Sequence, residues 1–244
     1  MSNIKSFIDD LKQLNEKESI DAYVPSLKKI VSFKVLSVKQ HRDIIKTVVD
    51  GVEGSVLISK VFNDIIKENS LKDINFKLYD RNKILVDTRK EILGNNVTIN
   101  NNLYTLDTLP TYAFNPEETK EFEYNSIKVV AEIPTLEVDS KITEKSVVEI
   151  SKFSAEDNKV GNSINVLLVY ELMKFIKTIE LQDSVLQFNE LNTYDKKNIV
   201  ENLPIKLNNM ILDFIAKYKE QEQEFYTFSD GTKLSIDAGF LTGE

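Results

Sequence analysis

Apolar residues in the N-terminal part of the chain recur every three or four positions, the spacing of helices that bury one face. The clearest stripe is formed by Ile58, Val61, Phe62, Ile65 and Ile66. Two further stripes predict a helix from Ser37 to about Asp50 and a helix from Asn75 to Leu93, stopped by Gly94. A short stripe within residues 1–20 predicts a terminal helix. Adjacent amphipathic helices are expected to pack on one another.

A strand is predicted directly before the first of these long helices. Val31, Phe33 and Val35 alternate with polar residues, which is the period of a half-buried strand. Ser37 and Gln40 then have the spacing of a capping box, in which each side chain bonds to the backbone amide of the other residue. This passage predicts a strand that leads into a helix, with the next helix starting after Gly54.

The pattern changes to β after Gly94. Short apolar runs predict strands around Phe122, around Val129, and around Leu136 and Val138. Asn125-Ser126 lies between the first two runs and is expected to form a hairpin turn.

Helical spacing returns at Ser163 and continues through Ile179. Thr193 is predicted as the N-cap of a shorter helix, and Leu203-Pro204 starts another. The tail alternates again around Asp230-Gly231, which predicts a β-hairpin.

These elements predict an α+β fold. It is expected to be mainly a helical bundle with an N-terminal strand-helix unit, a small inserted β subdomain and a C-terminal β-hairpin. The predicted domains are residues 1–94, 95–162 and 163–244, the last ending in an apolar tail.

Composition excludes several classes of function. The 244 residues carry a net charge of −8, which disfavours binding to nucleic acid, and they include no cysteine, which excludes disulfides and thiolate-bound metals. The longest apolar run, Val166 to Tyr170, is far shorter than the ~20 residues that span a membrane. No signal-peptide pattern is present, so the expected site of synthesis is a cytoplasm.

No catalytic, cofactor or metal motif is found. His41 is the only histidine, and the seven glycines form no phosphate-binding loop. We therefore expect a protein that is not an enzyme and uses no cofactor. A pair of carboxylates brought together by folding, as in a hydrolase, stays an alternative.

Binding residues are sought among apolar side chains that local structure does not bury. Phe7 and Leu11 in the N-terminal arm and Phe240 and Leu241 in the tail meet this description. We predict that they contact a partner protein. The alternative is that they fold back on their own domain, as terminal segments often do.

Three passages of the chain carry a resemblance when taken together. They are VPSLKKIVSFKVLSVKQHRDIIKTV, LYDRNKILVDTRKEILG and NLPIKLNNMILDFIAKYKEQEQEFYTFSDGTKLSIDAGF. In this order they resemble the strand-helix opening, an arginine-containing helix, and the Leu-Pro helix, hairpin and apolar tail of the baseplate hub proteins of T4-type bacteriophages. Relatives often have a Cys-x-x-Cys pair in that hairpin. This chain has Thr227-Phe228-Ser229-Asp230 instead, so any metal site there is lost.

The resemblance implies a non-enzymatic tail protein, a component of the central baseplate hub or an assembly factor for it. Its partners would be other tail and hub proteins, with the tape-measure protein among them. Its location would be the virion, or the host cytoplasm during assembly. The opening also resembles tail assembly chaperones, which bind the tape-measure protein and are absent from the finished virion. Oligomeric state stays open.

Overall fold

The computed structural model describes residues 18–49, 51–153, 159–182 and 184–243. Within them helices are combined with small antiparallel sheets, which confirms the predicted α+β class. The elements in chain order are β1 (Ser19–Val24), β2 (Lys29–Lys34), α1 (Val38–Val49), α2 (Gly51–Asn69), α3 (Asp80–Leu93), β3 (Asn96–Ile99), β4 (Asn102–Thr105), β5 (Thr119–Tyr124), β6 (Ile127–Glu132), α4 (Leu136–Ile150), α5 (Lys159–Phe175), β7 (Ile176–Leu181), β8 (Ser184–Gln187), α6 (Thr193–Asn202), α7 (Ile205–Glu224) and α8 (Ala238–Thr242).

The contacts group the chain into two compact units. Unit 1 comprises Met1–Thr111 and Tyr226–Glu244, and unit 2 comprises Tyr112–Phe225. This differs from the three predicted segments, residues 1–94, 95–162 and 163–244. The reason is long-range pairing: β6 of the second segment pairs with β7 of the third, and the C-terminal tail belongs to unit 1.

The strand-into-helix prediction in unit 1 is confirmed. β1 and β2 form an antiparallel pair, with Val31 and Phe33 buried. The Ser37 amide donates to Gln40 Oε1 at 3.0 Å, and the Gln40 amide donates to Ser37 Oγ at 3.2 Å, so the capping box forms as expected. The following helix, α2, begins at Gly51, earlier than the predicted start after Gly54.

Helix α3 begins at Asp80 and not at Asn75. The fully buried Asp80 carboxylate accepts hydrogen bonds from the backbone amides of Lys77 and Ser26, both at 2.8 Å, and so holds the preceding residues in a turn. Gly94 ends the helix with a φ of 81°, as its predicted capping role requires.

Unit 2 contains a four-stranded antiparallel sheet in the order β5-β6-β7-β8. The predicted hairpin between β5 and β6 is confirmed: Asn125 and Ser126 have φ of 49° and 63°, the left-handed values that two-residue hairpin turns use. Helix α7 packs on this sheet through Phe214, whose ring lies 6.3 Å from that of Phe122.

Three predictions in unit 2 are wrong in detail. Leu136 and Val138 lie in helix α4, because the Thr135 hydroxyl accepts from the Val138 amide at 3.3 Å and caps a helix there. Ile179 lies in β7, since it pairs with Val129 on β6 and this pairing overrides the helical spacing. The N-cap of α6 is Asn192, one residue before the predicted one.

The C-terminal tail also differs from its prediction. The expected hairpin is reduced to an isolated bridge between Thr227 and Lys233 around the turn at Gly231. The last apolar residues form the short helix α8, capped by Asp237, whose carboxylate accepts from the Phe240 amide at 3.1 Å. Among the described residues, no helix is both long and apolar enough to cross a membrane.

Candidate functional site

The predicted binding residues of the tail are buried inside unit 1. Phe240 and Leu241 lie on α8 and are almost inaccessible to solvent. Arg89 holds them there: its Nε donates to the Phe240 carbonyl at 2.9 Å, and its guanidinium lies 5.2 Å from the Phe240 ring. The tail thus follows the alternative of folding back on its own domain. Phe7 and Leu11 lie outside the described residues.

Arg89 also bonds to the residue that follows the end of α3. Its Nη1 donates to the Gly94 carbonyl at 2.7 Å, so a single guanidinium serves two backbone carbonyls and one ring. Burial lowers the pKa of this group, which nevertheless stays charged at physiological pH. Sequence reasoning missed this role. The only signal was that Arg89 is one of just three arginines in the chain.

A groove of about 580 Å³ opens in unit 1 beside β3. Five consecutive residues of β3 and its turn line it, together with residues of the tail. The lining residues are Arg89, Asn96, Val97, Thr98, Ile99, Asn100, Leu103, Leu234, Ser235, Asp237, Gly239, Phe240 and Gly243.

The free edge of β3 borders this groove. The Leu106 amide donates to the Asn95 carbonyl at 2.8 Å, so residues 95, 97 and 99 exchange hydrogen bonds with β4. In an antiparallel pair the intervening residues point their N–H and C=O groups the other way. Asn96 and Thr98 therefore direct theirs away from β4, and none of the described backbone groups bonds to them.

The charged residues of the groove are already engaged within unit 1. Arg89 bonds to carbonyls, and the Asp237 carboxylate accepts from the Phe240 amide and the Ser235 hydroxyl. Leu103, in contrast, is 70% exposed. The groove therefore offers open backbone groups and apolar surface, the features that bind an added β-strand and not a charged small molecule.

The clusters of ionisable residues elsewhere have the geometry of structural ion pairs. In unit 2, Lys197 contacts Glu149 at 2.5 Å and the Tyr170 hydroxyl donates to the same carboxylate at 2.8 Å. Burial would raise the pKa of Glu149, but these two hydrogen bonds outweigh it and the pKa is lowered. Burial and the bond to Glu149 raise the pKa of Tyr170.

A buried lysine is a further feature that the sequence did not reveal. Lys196 is buried on α6 with its Nζ 5.6 Å from the centre of the Phe188 ring. Burial, and then the charge of Lys141, lower its pKa. Within the described part of the chain, no group of three or more His, Asp or Glu side chains is placed to hold a metal ion.

No protein-family model matches the chain, and no curated protein or solved structure matches it.

Proposed function

We propose that this chain is a non-enzymatic protein of a contractile phage tail, a component of the central baseplate hub or an assembly factor for it. Two observations support the proposal. The order of three sequence passages resembles the T4-type hub proteins, and unit 1 has a groove suited to an extended segment of another tail protein. The groove is the structural observation that carries the binding function.

The free edge of β3 sets what the groove would bind. Asn96 and Thr98 each present one N–H and one C=O, so a partner segment of a few residues can continue the two-stranded sheet. Leu103 adds apolar contact near this edge. Because the edge is short, we expect a modest affinity that is sufficient where other contacts hold the partner close.

Mass spectrometry of intact, purified phage particles tests the proposal. The copy number of this protein is counted against the tail sheath. A small fixed copy number supports a hub component. Absence from particles, with a complex in infected-cell lysate that contains hub or tape-measure proteins, supports the assembly chaperone. Absence from both overturns the proposal.

A matched pair of variants tests the groove itself. Thr98→Pro removes the outward N–H that a partner strand needs, without removing a hydrogen bond to β4. Thr105→Pro makes the same change to the outward N–H of β4, at a residue that does not itself line the groove, and it also removes the 3.4 Å bond from the Thr105 hydroxyl to Asn96 Oδ1. We expect Thr98→Pro to be lost from particles or complexes and Thr105→Pro to be retained, with both variants folded by circular dichroism. Equal retention would contradict binding at β3.

A further inference from the structure

The two edge strands of the sheet in unit 2 differ in charge and in whether a helix packs against them. The β5 edge has the sequence TKEFEY and is packed against α7. The β8 edge has the sequence SVLQ, with no charged residue, and all four of its residues are exposed. Natural sheets usually protect a free edge with charge, proline or a covering element, because an open edge pairs with other strands. Within the described residues, the β8 edge has none of these.

The buried face of the sheet extends as far as the open β8 edge. Phe122, Val129, Ile179 and Leu186 are cross-strand neighbours in one row through β5, β6, β7 and β8. Their exposed fractions are 7%, 0%, 5% and 42%. The row is thus a core row, and no described strand lies next to its last member, Leu186, on the outer side. An added strand would complete it with an apolar residue opposite Leu186.

Along β8, residues that bond to β7 alternate with residues that point their backbone groups outward, and this alternation fixes how a strand could be added. Ser184 pairs with Leu181, the last residue of β7, and this closing pair of the hairpin is a hydrogen-bonded one, so Ser184 and Leu186 exchange hydrogen bonds with β7. Val185 points its N–H and C=O groups outward, and Gln187 points its N–H outward, while the Gln187 carbonyl accepts the first bond of the 3₁₀ turn Phe188–Glu190. A second β8 running antiparallel can match Val185 with Gln187 of the other copy, twice, around a twofold axis at Leu186.

We propose that β8 is a self-pairing edge, at which two copies of this chain join their four-stranded sheets into one continuous sheet. Leu186 of one copy lies opposite Leu186 of the other. The apolar row then runs unbroken from Phe122 of one copy to Phe122 of its partner. Two features favour a second copy: the strand is uncharged, so it does not repel itself, and the twofold register places the outward groups of Val185 opposite Gln187 of the other copy at two symmetric positions.

The contact is small, and this sets its strength. A four-residue strand buries less than the roughly 1,200 Å² that stable interfaces need. We therefore expect a weak dimer, seen by sedimentation equilibrium at high protein concentration. Its pairing would strengthen wherever an assembly holds two copies close together. Leu186→Lys places two like charges opposite each other and should abolish the dimer.

Cysteine cross-linking tests the register, because the chain has no cysteine of its own. In the full-length protein, Leu186→Cys puts two sulfurs across a non-hydrogen-bonded pair with Cα atoms ~4.5 Å apart, within disulfide reach. In the same register two Val185→Cys residues are offset along the strands, beyond the ~7 Å limit. Glu123→Cys on the β5 edge reports random collision.

Under mild oxidation we expect Leu186→Cys to form covalent dimers at least about ten times faster than either control. Faster cross-linking at position 185 would overturn the register. Equal rates for all three variants, with wild-type protein monomeric at every concentration, would overturn self-pairing. These results come from purified protein alone, so they are separate from the particle and groove experiments that test the proposed function.

Discussion

The two units use their buried and half-buried charged side chains in different ways. In unit 1 the buried ones bind backbone groups: Asp80 accepts from the Ser26 and Lys77 amides, and Arg89 donates to two carbonyls. The half-buried Asp87 accepts from the Tyr23 amide at 2.9 Å and also pairs with Lys83. In unit 2 carboxylates pair with lysines: the buried Asp139 contacts Lys174 at 2.7 Å, and the half-buried Glu149 contacts Lys197, whereas the buried Lys196 lies against the Phe188 ring.

This difference follows from the secondary structure of each unit. Unit 1 contains short two-stranded pairs, turns and a short terminal helix, whose backbone groups are not all satisfied by regular structure. Unit 2 has a four-stranded sheet, whose inner strands β6 and β7 are paired on both sides, and an aromatic core. We therefore expect unit 2 to depend most on apolar packing and unit 1 on single charged residues.

The largest expected effect is on the apolar core of unit 2. Phe175 is fully buried, with its ring 6.4 Å from that of Phe214 and 6.0 Å from that of Tyr218. Phe175→Ala leaves a cavity and should lower the free energy of unfolding by about 3–5 kcal/mol. Denaturant unfolding followed by circular dichroism measures the loss, and Tyr194→Ala, at an exposed ring, serves as the control.

Asp80→Ala tests the claim that unit 1 depends on one carboxylate. The change leaves the Ser26 and Lys77 amides without their acceptor and should cost about 2–4 kcal/mol. Hydrogen exchange should rise first in peptides of β1, β2 and the start of α3. Asp73→Asn, an exposed site in the same unit, should change neither quantity. A purely global loss, with no local rise in exchange, would contradict the anchoring role.

Arg89→Lys should have a smaller and more local effect. A lysine ammonium cannot reproduce the fork that reaches the Phe240 and Gly94 carbonyls together, and we expect a loss of about 2 kcal/mol. Exchange in α8 should rise while that in β6 and β7 stays unchanged. Arg42→Lys, on an exposed side chain, is the matched substitution. Unchanged protection of α8 would show that apolar packing alone holds the tail.

The same contrast explains which parts of the fold the sequence could predict. The capping box at Ser37 and Gln40 and the turn at Asn125-Ser126 were predicted correctly, because both depend on residues close in sequence. Ile179 was assigned to a helix because its spacing fits a helical stripe. Only its pairing with Val129, 50 positions away, makes it a strand residue.

The candidate site was less predictable than the fold. An apolar tail with Phe240 looks the same in sequence whether it binds a partner or packs on its own unit. The contact with Arg89 decides between these, and it joins residues 151 positions apart. The open edge of β3 likewise depends on which of its residues bond to β4 and which point their N–H and C=O groups outward. No composition or motif predicts this alternation.

The smallest expected effect concerns pH, and it tests whether unit 2 gains from its internal ion pairs. Burial opposes ionisation of Glu149, but the bonds from Lys197 and Tyr170 prevail and hold its pKa below the usual 4.5. A carboxyl with a lowered folded-state pKa stabilises the fold above pH 4.5, and this contribution disappears as the pH falls through the folded-state value. Stability lost by Glu149→Gln should therefore be largest near neutrality and shrink below pH 4.5.

Chemical unfolding across pH 3–7 measures this difference between wild type and variant. The effect should stay below those of Asp80 and Arg89, because Glu149 is only half-buried and solvent screens its ion pair. Glu144→Gln, which neutralises an exposed carboxyl on the same helix, is the control variant. If the stability lost by Glu149→Gln does not change with pH, the ion pair of Glu149 with Lys197 contributes no net stability to unit 2.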